Sequence, residues 1–294
     1  MPNLVSQKIN YISRTFLRSI GAFICLLLFL LVIQGFIALI AFVFTKNINS
    51  ANQLFLEHLS PIFASSIIIF WAKKRNPGIF NRILNSINFD KKNIKLFIIY
   101  TLLSLFILYL SFSISILLGY SNFVYFGYNK FPVYKIFYKF FLVGLLSNLF
   151  VATGEEIIFR GFLLNYIIGI SRNKLFGLLF TSFIFSLHHY PDLLNNVIAF
   201  LGGLAMGYAY LKFETLYIPI GIHFAYNIFN ASIASETLNG PQLPYLVKIN
   251  YPMILNGFGA WVDLFIIASF LILLTILWIK KVPTFIHRAI QIEL

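Results

Sequence analysis

Three groups of polar side chains interrupt stretches of this sequence that are otherwise apolar, and together they hold the parts of a hydrolytic site. The first is Glu155, Glu156 and Arg160; the second is His188 and His189; the third is His223 and Asn227. Ionisable groups are costly within a hydrocarbon layer, so each is a functional candidate. On a helix, Glu156 and Arg160 are spaced i, i+4 and share a face, where they can pair. Glu155 comes one residue earlier, turned by about 100° and away from the arginine. Two adjacent carboxyls thus meet different surroundings, an arrangement that can separate a working acid–base group from its support. Taken alone, the cluster is equally an ion pair at a helix end with a spectator glutamate.

His223 and Asn227 also lie one turn apart on one face. A histidine can donate, accept or bind metal, whereas an asparagine amide donates without titrating. Aimed at one point, the two could stabilise an oxyanion; they could equally form a hydrogen-bonded pair between helices. His188 and His189 face different sides of one helix end, and their spacing does not say which points inward. All three groups must find partners inside a helix bundle, and gathering them in one cavity is the cheapest solution. Such a cavity would contain a base, a polariser and amide donors, the parts needed to attack an amide with water. No serine, cysteine or aspartate constellation of similar quality occurs in the sequence.

The scaffold that must position these groups is a membrane-spanning one. Of 294 residues, 60% are hydrophobic and only 11% charged, against about 25% charged in an ordinary soluble domain. The bilayer is the solvent that accepts such a surface. With about 20 apolar residues per span, eight segments qualify, near 19–44, 54–72, 96–119, 136–153, 175–190, 193–211, 216–235 and 258–279. The expected fold class is therefore all-α, a polytopic membrane protein of about eight transmembrane helices with both termini cytoplasmic. The fourth segment continues as helix into 155–168, and Pro191-Asp192 marks a tight turn between the fifth and sixth. The polar stretches 73–95, 120–135 and 236–257 read as loops or interfacial helices.

The net charge of +13 does not indicate nucleic acid, because the basic residues sit in short loops between apolar runs. With the N-terminus inside, 16 basic residues fall on the inner side and 5 on the outer, as the positive-inside rule requires. Basic loops also attract anionic headgroups. Cys25 has no partner for a disulfide and reads as a packing residue. Gly203 and Gly207 form a small-xxx-small pair suited to close helix packing. The chain divides into three expected parts: helices 1–3 with a basic loop (1–135), a core of helices 4–7 (136–235), and a loop, last helix and basic tail (236–294).

The motifs resemble those of a known family. Gly154-Glu155-Glu156-Ile157-Ile158-Phe159-Arg160-Gly161 resembles the EExxxR-G signature of the CAAX-protease and bacteriocin-processing (CPBP, or Abi) family. Phe185-Ser186-Leu187-His188-His189 resembles its FxxxH motif, which selects His189 over His188, and His223 to Asn227 resembles its HxxxN motif. The three occur in the family's order over about a third of the chain. The resemblance implies an eight-helix intramembrane endopeptidase acting on a membrane-associated or lipidated peptide, in a cell membrane, expected to be a bacterial plasma membrane.

Carried over by residue, Glu155 would activate water and His189 would help hold it. Glu156 and Arg160 would support the site, and His223 and Asn227 would stabilise the oxyanion. The expected cofactor is none. The alternative is zinc on Glu155, His189 and His223, although the HExxH signature of helical zinc proteases is missing. Implied partners are the bilayer and a peptide or protein substrate at the membrane, with no nucleic acid. Two other readings use the same features: a non-catalytic immunity or scaffold protein on the same fold, and a transporter using the charges as a proton relay. Against the transporter, the ionisable groups cluster and no inverted repeat is visible.

Overall fold

The computed structural model describes residues 51–120, 144–189, 193–235 and 268–276, with short pieces at 122–126, 132–137 and 247–250 and the isolated positions 14, 17 and 128. The expected first span at 19–44 and the basic C-terminal tail lie outside the described residues. In chain order the elements are α1 (Ala51–Arg75), α2 (Pro77–Ser86), α3 (Lys91–Leu117), β1 (Asn122–Phe126), the single turn α4 (Val133–Ile136) and α5 (Leu145–Glu156). A π-helical stretch (Ile157–Leu164) follows, then α6 (Asn165–Ser171), α7 (Lys174–His189), α8 (Leu193–Phe213), α9 (Tyr217–Ser232), β2 (Ile233–Ser235) and β3 (Val247–Asn250). A last helix, α10, covers 268–276.

Local chemistry sets the helix ends. Asn76 caps α2 by accepting from the Ile79 N–H at 3.1 Å, with Pro77 at the first helical position, where its missing N–H costs nothing. Asp90 caps α3 by accepting from the Asn93 N–H at 2.7 Å. Arg172 stops α6 in the left-handed conformation (φ 52°), and the Asn173 side chain then accepts from the Phe176 N–H at 3.0 Å to start α7.

Helix α3 shows which solvent the bundle meets. Its buried face carries Thr101, Ser104, Ser111 and Ser115 beside Tyr100, Leu108 and Phe112, while its exposed face carries Ile98, Leu102, Phe106, Leu110 and Leu117. Large apolar groups outside and small polar groups inside reverse the pattern of a soluble helix, and suit one whose outer face meets lipid. Two described helices, the α3 segment Lys91–Leu117 and the α8 segment Asn195–Phe213, are long and apolar enough to cross a membrane. The protein is a helical membrane protein.

Lipid gives helices little hydrophobic reason to associate, so close backbone approach carries the packing. Three glycines mark the crossings. A Cβ on Gly154 would stand 2.3 Å from the Pro61 carbonyl carbon, which seats α5 directly on α1. One on Gly203 would stand 3.1 Å from the Ser182 Cα, joining α8 to α7, and one on Gly221 would stand 2.9 Å from the Phe97 carbonyl oxygen, joining α9 to α3. Gly203 thus has the packing role expected of it, and Gly207 adds to it against Leu178.

The fold departs from the sequence reading in two places. The stretches 120–135 and 236–257, expected as loops or interfacial helices, each contribute a strand. Together with β2, from the end of the seventh segment, these make a three-stranded sheet in the order β1-β3-β2, with β1 antiparallel and β2 parallel to β3. The all-α expectation therefore gains a small sheet. Its pairings join segments far apart in sequence, which neither segment reveals alone. Because β1 follows α3 and β2 follows α9, the C-terminal ends of those helices lie at one end of the bundle. The second departure is in the fourth segment. It continues as helix past Glu156, but as eight residues of π-helix before returning to α at Asn165.

Candidate active site

The glutamates stand where α5 gives way to the π-helical stretch. Their placement follows from Gly154, whose contact with Pro61 pins this point of the chain against α1. Glu155, Glu156, Arg160 and His223 are all buried, Glu156 completely. Arg160 Nη1 donates to Glu156 Oε1 at 2.7 Å, so the expected i, i+4 pair is present despite the change of helix type. Arg160 Nη2 donates to the Gly203 carbonyl of α8 at 3.3 Å.

His223 enters from α9 and spans the two glutamates. Its Nδ1 is 2.8 Å from Glu156 Oε1, and its Nε2 is 3.8 Å from Glu155 Oε2. An ionised carboxylate can only accept. Glu156 therefore fixes the tautomer with the proton on Nδ1, which leaves the lone pair of a neutral ring on Nε2, facing Glu155. The neighbouring carboxyls have separate partners: Glu156 holds arginine and imidazole together, and Glu155 faces the far side of that imidazole. This is the division that the 100° turn between adjacent residues implies.

Phe185 completes the cluster from α7. The Arg160 guanidinium carbon lies 4.3 Å from the centre of its ring, a cation–π contact. The same ring meets His223 edge-on at 5.8 Å and Phe159 at 5.1 Å between centroids. His189, the last residue of α7, comes four residues after Phe185, so the backbone sets both on one face. The side chains of His188 and His189 lie outside the described residues. Asn227 follows His223 by one turn on α9 and is half-buried.

Sequence reasoning found Glu155, Glu156, Arg160 and His223, which the structure brings together. It missed the Phe185 ring as a contact of Arg160, noticing that residue only as the start of a motif. It also missed the Gly203 carbonyl, because a backbone acceptor has no signature in residue type. The contact of His223 Nδ1 with Glu156 was not foreseen either, since the expected companions of His223 were Glu155, His189 and Asn227.

The zinc alternative can be tested on the donors themselves. Among the described residues, no group of three His, Cys, Asp or Glu is arranged to hold a metal, and His189 of the expected ligand set lies outside them. The remaining two donors fit in kind. One is a carboxylate, and the other is an imidazole whose second nitrogen is held by another carboxylate, the usual support of a zinc-bound histidine.

A known family covers the same stretch of chain. Residues 137–229 match the family model described as type II CAAX prenyl endopeptidase Rce1-like. The chain therefore carries an Rce1-like domain, of the CAAX-protease and bacteriocin-processing family. The matched residues run through α5, the π-helical stretch and α6 to α9, and contain every site residue named above. This supports a membrane protease in general terms. No curated protein and no solved structure shows significant similarity to the chain.

Proposed function

We propose that the chain is an intramembrane endopeptidase of the CAAX-protease type, hydrolysing a peptide bond of a membrane-associated or lipidated substrate with glutamate-activated water. One observation carries this reading: the two ring nitrogens of His223 are divided between adjacent glutamates. A structural ion pair needs only Glu156 and Arg160. The aimed imidazole and second carboxylate add the elements of proton transfer.

In this mechanism Glu155 takes a proton from water as the oxygen attacks the amide carbon. Glu156, held by Arg160, keeps the imidazole by its Nδ1–H. Nε2 can then receive the proton from Glu155 and, once protonated, donate to the oxyanion or the leaving amine. The Asn227 amide is a second donor to the oxyanion, and His189 helps hold the water. If zinc takes part, Glu155, His189 and His223 would hold it, and it would supply water activation.

The test uses protein reconstituted in liposomes with a quenched fluorescent peptide carrying a C-terminal prenylated CAAX-like sequence. Cleavage is expected from the wild type and lost in Glu155→Gln, and it is expected to survive a strong chelator. Loss on chelation with recovery on added zinc would replace glutamate activation by the zinc mechanism. Equal rates from wild type and Glu155→Gln would remove the peptidase assignment.

A further inference from the structure

We infer that Asn165 and Tyr210 are positioning residues for the site. They hold the π-helical stretch in the register that seats Arg160 between Glu156, the Gly203 carbonyl and the Phe185 ring. This rests on the peptidase reading for its consequence in rate, but its structural content stands apart from that reading.

Eight consecutive π-helical residues are unusual. A π turn usually appears as a single-turn bulge inside an α-helix, frequently at a functional site. Such a stretch persists where its surroundings satisfy the backbone better than an α-helix would. Here the return to α-helix occurs at Asn165. Its own backbone N–H bonds to the Phe162 carbonyl, and its side-chain amide donates to the Arg160 carbonyl at 3.2 Å and the Gly161 carbonyl at 2.8 Å. A side-chain donor thus stands in where the backbone register changes. The same amide reaches the Tyr210 hydroxyl on α8 at 2.7 Å. Both residues are buried, at 6% exposure each, and no role in the chemistry above uses them.

Tyr210 and Gly203 lie seven residues apart on α8, two turns and therefore one face. That face holds the stretch at two points. The Gly203 carbonyl takes the Arg160 guanidinium, and the Tyr210 hydroxyl takes the Asn165 amide that binds the Arg160 carbonyl. Arg160 is thus fixed by side chain and by backbone. Were the stretch to relax to α-helix, one residue would leave the turn, and positions beyond it would rotate by about 100°. Arg160 would keep its i, i+4 spacing to Glu156 but would turn away from the Gly203 carbonyl and the Phe185 ring, and the arginine that steadies Glu156 beside His223 would lose its own anchors.

The test compares Asn165→Leu, which keeps the volume and removes both donors, with Tyr210→Phe, which removes only the outer anchor. The first readout needs no substrate. It is the 15N spectrum of histidine-labelled protein in detergent, where His223 is assigned among the 5 histidines by its absence in His223→Gln. The His223 Nδ1 resonance is expected to shift clearly in Asn165→Leu and less in Tyr210→Phe. A role in stability alone would lower the melting temperature and leave that resonance in place.

The second readout is cleavage. Turnover in Asn165→Leu is expected to fall about tenfold with KM within about twofold, the pattern of lost transition-state alignment. A folded Asn165→Leu protein with wild-type resonance and turnover overturns the proposal. Should that variant not accumulate, an unmoved resonance in Tyr210→Phe overturns it instead. If the wild type cleaves nothing, the peptidase reading fails, and the spectra alone decide this one.

Discussion

Two buried polar clusters tie helices together in this protein, and they are made of different kinds of group. In the first, the α8–α9 turn locks onto α2 and α3. The Thr215 hydroxyl lies 3.1 Å from Asn93 Oδ1 and 3.3 Å from the Ser86 carbonyl, which also accepts from the Leu216 N–H at 3.0 Å. Asn93 in turn donates its side-chain amide to the Asn88 carbonyl at 2.8 Å. Apart from the Asp90 cap, its members are neutral, and each bond contributes roughly 1 kcal/mol. The second cluster is Glu155, Glu156, Arg160 and His223. Charges buried this deeply cost several kcal/mol each before pairing returns anything. Holding helices together does not require that cost, since neutral groups do the same a few turns away. Under the proposed function, the contrast separates an architectural cluster from a catalytic one.

The largest test of that contrast is Glu155→Gln. The change keeps shape and hydrogen-bonding capacity but removes the base. Cleavage is expected to fall on the order of a thousandfold, while the protein is purified in normal yield. A comparable loss of yield would instead make Glu155 a structural partner. Glu156→Gln comes next. It keeps an acceptor for His223 Nδ1 but leaves Arg160 buried without its counter-charge, so turnover is expected to fall about a hundredfold through loss of imidazole orientation. If Glu156→Gln proved more damaging to turnover than Glu155→Gln, the two carboxylates would exchange roles.

Much of the second cluster was legible in the sequence because its members are charged and the surroundings are not. Glu155, Glu156 and Arg160 stand out in an apolar run, and i, i+4 spacing survived even the π-helical stretch. The first cluster was not legible. Thr215, Ser86 and Asn93 are common residues in a loop, at a helix end and at a helix start, and nothing in their types marks contacts more than a hundred residues apart. The π-helix was hidden for a related reason. Its sequence, Ile157 to Leu164, has the composition of an ordinary apolar helix, and what holds its register is Asn165 just beyond it, anchored by Tyr210 across the bundle. The sheet likewise needed partners from three segments. Helices were readable because their signal is local; locks, register and strand pairing are set by distant residues.

Gly154 lies where architecture meets chemistry. A methyl group at Gly154 would collide with the Pro61–Ile62 backbone, with nearest atoms at 2.3 to 2.6 Å, and backbone cannot turn aside as a flexible side chain can. Gly154→Ala is expected to cost about 1–3 kcal/mol of stability, as overpacking does, and to lower turnover by displacing the next residue, Glu155. Thermal unfolding in detergent, followed by the 3 tryptophans, measures the first effect. An unchanged melting temperature would mean that α1 and α5 are less tightly joined than the Gly154–Pro61 contact implies.

The smallest effect is expected at Thr215→Val, and it is the sharpest check on the contrast. Valine matches threonine in shape, so packing is kept. The change removes the donor to Asn93 Oδ1 and Ser86, and the acceptor of the Tyr217 N–H at 3.3 Å. The Ser86 carbonyl retains the Leu216 N–H, so only the Asn93 oxygen and the Tyr217 N–H lose a partner. Stability is expected to fall by about 1–2 kcal/mol, and turnover to stay at the wild-type value below the unfolding transition. The neutral cluster can lose a bond without consequence for catalysis only if it is a lock and no more. A folded Thr215→Val protein with reduced turnover would show that the α8–α9 turn transmits its position to His223, seven residues from the end of that turn, and the two clusters would then be one machine.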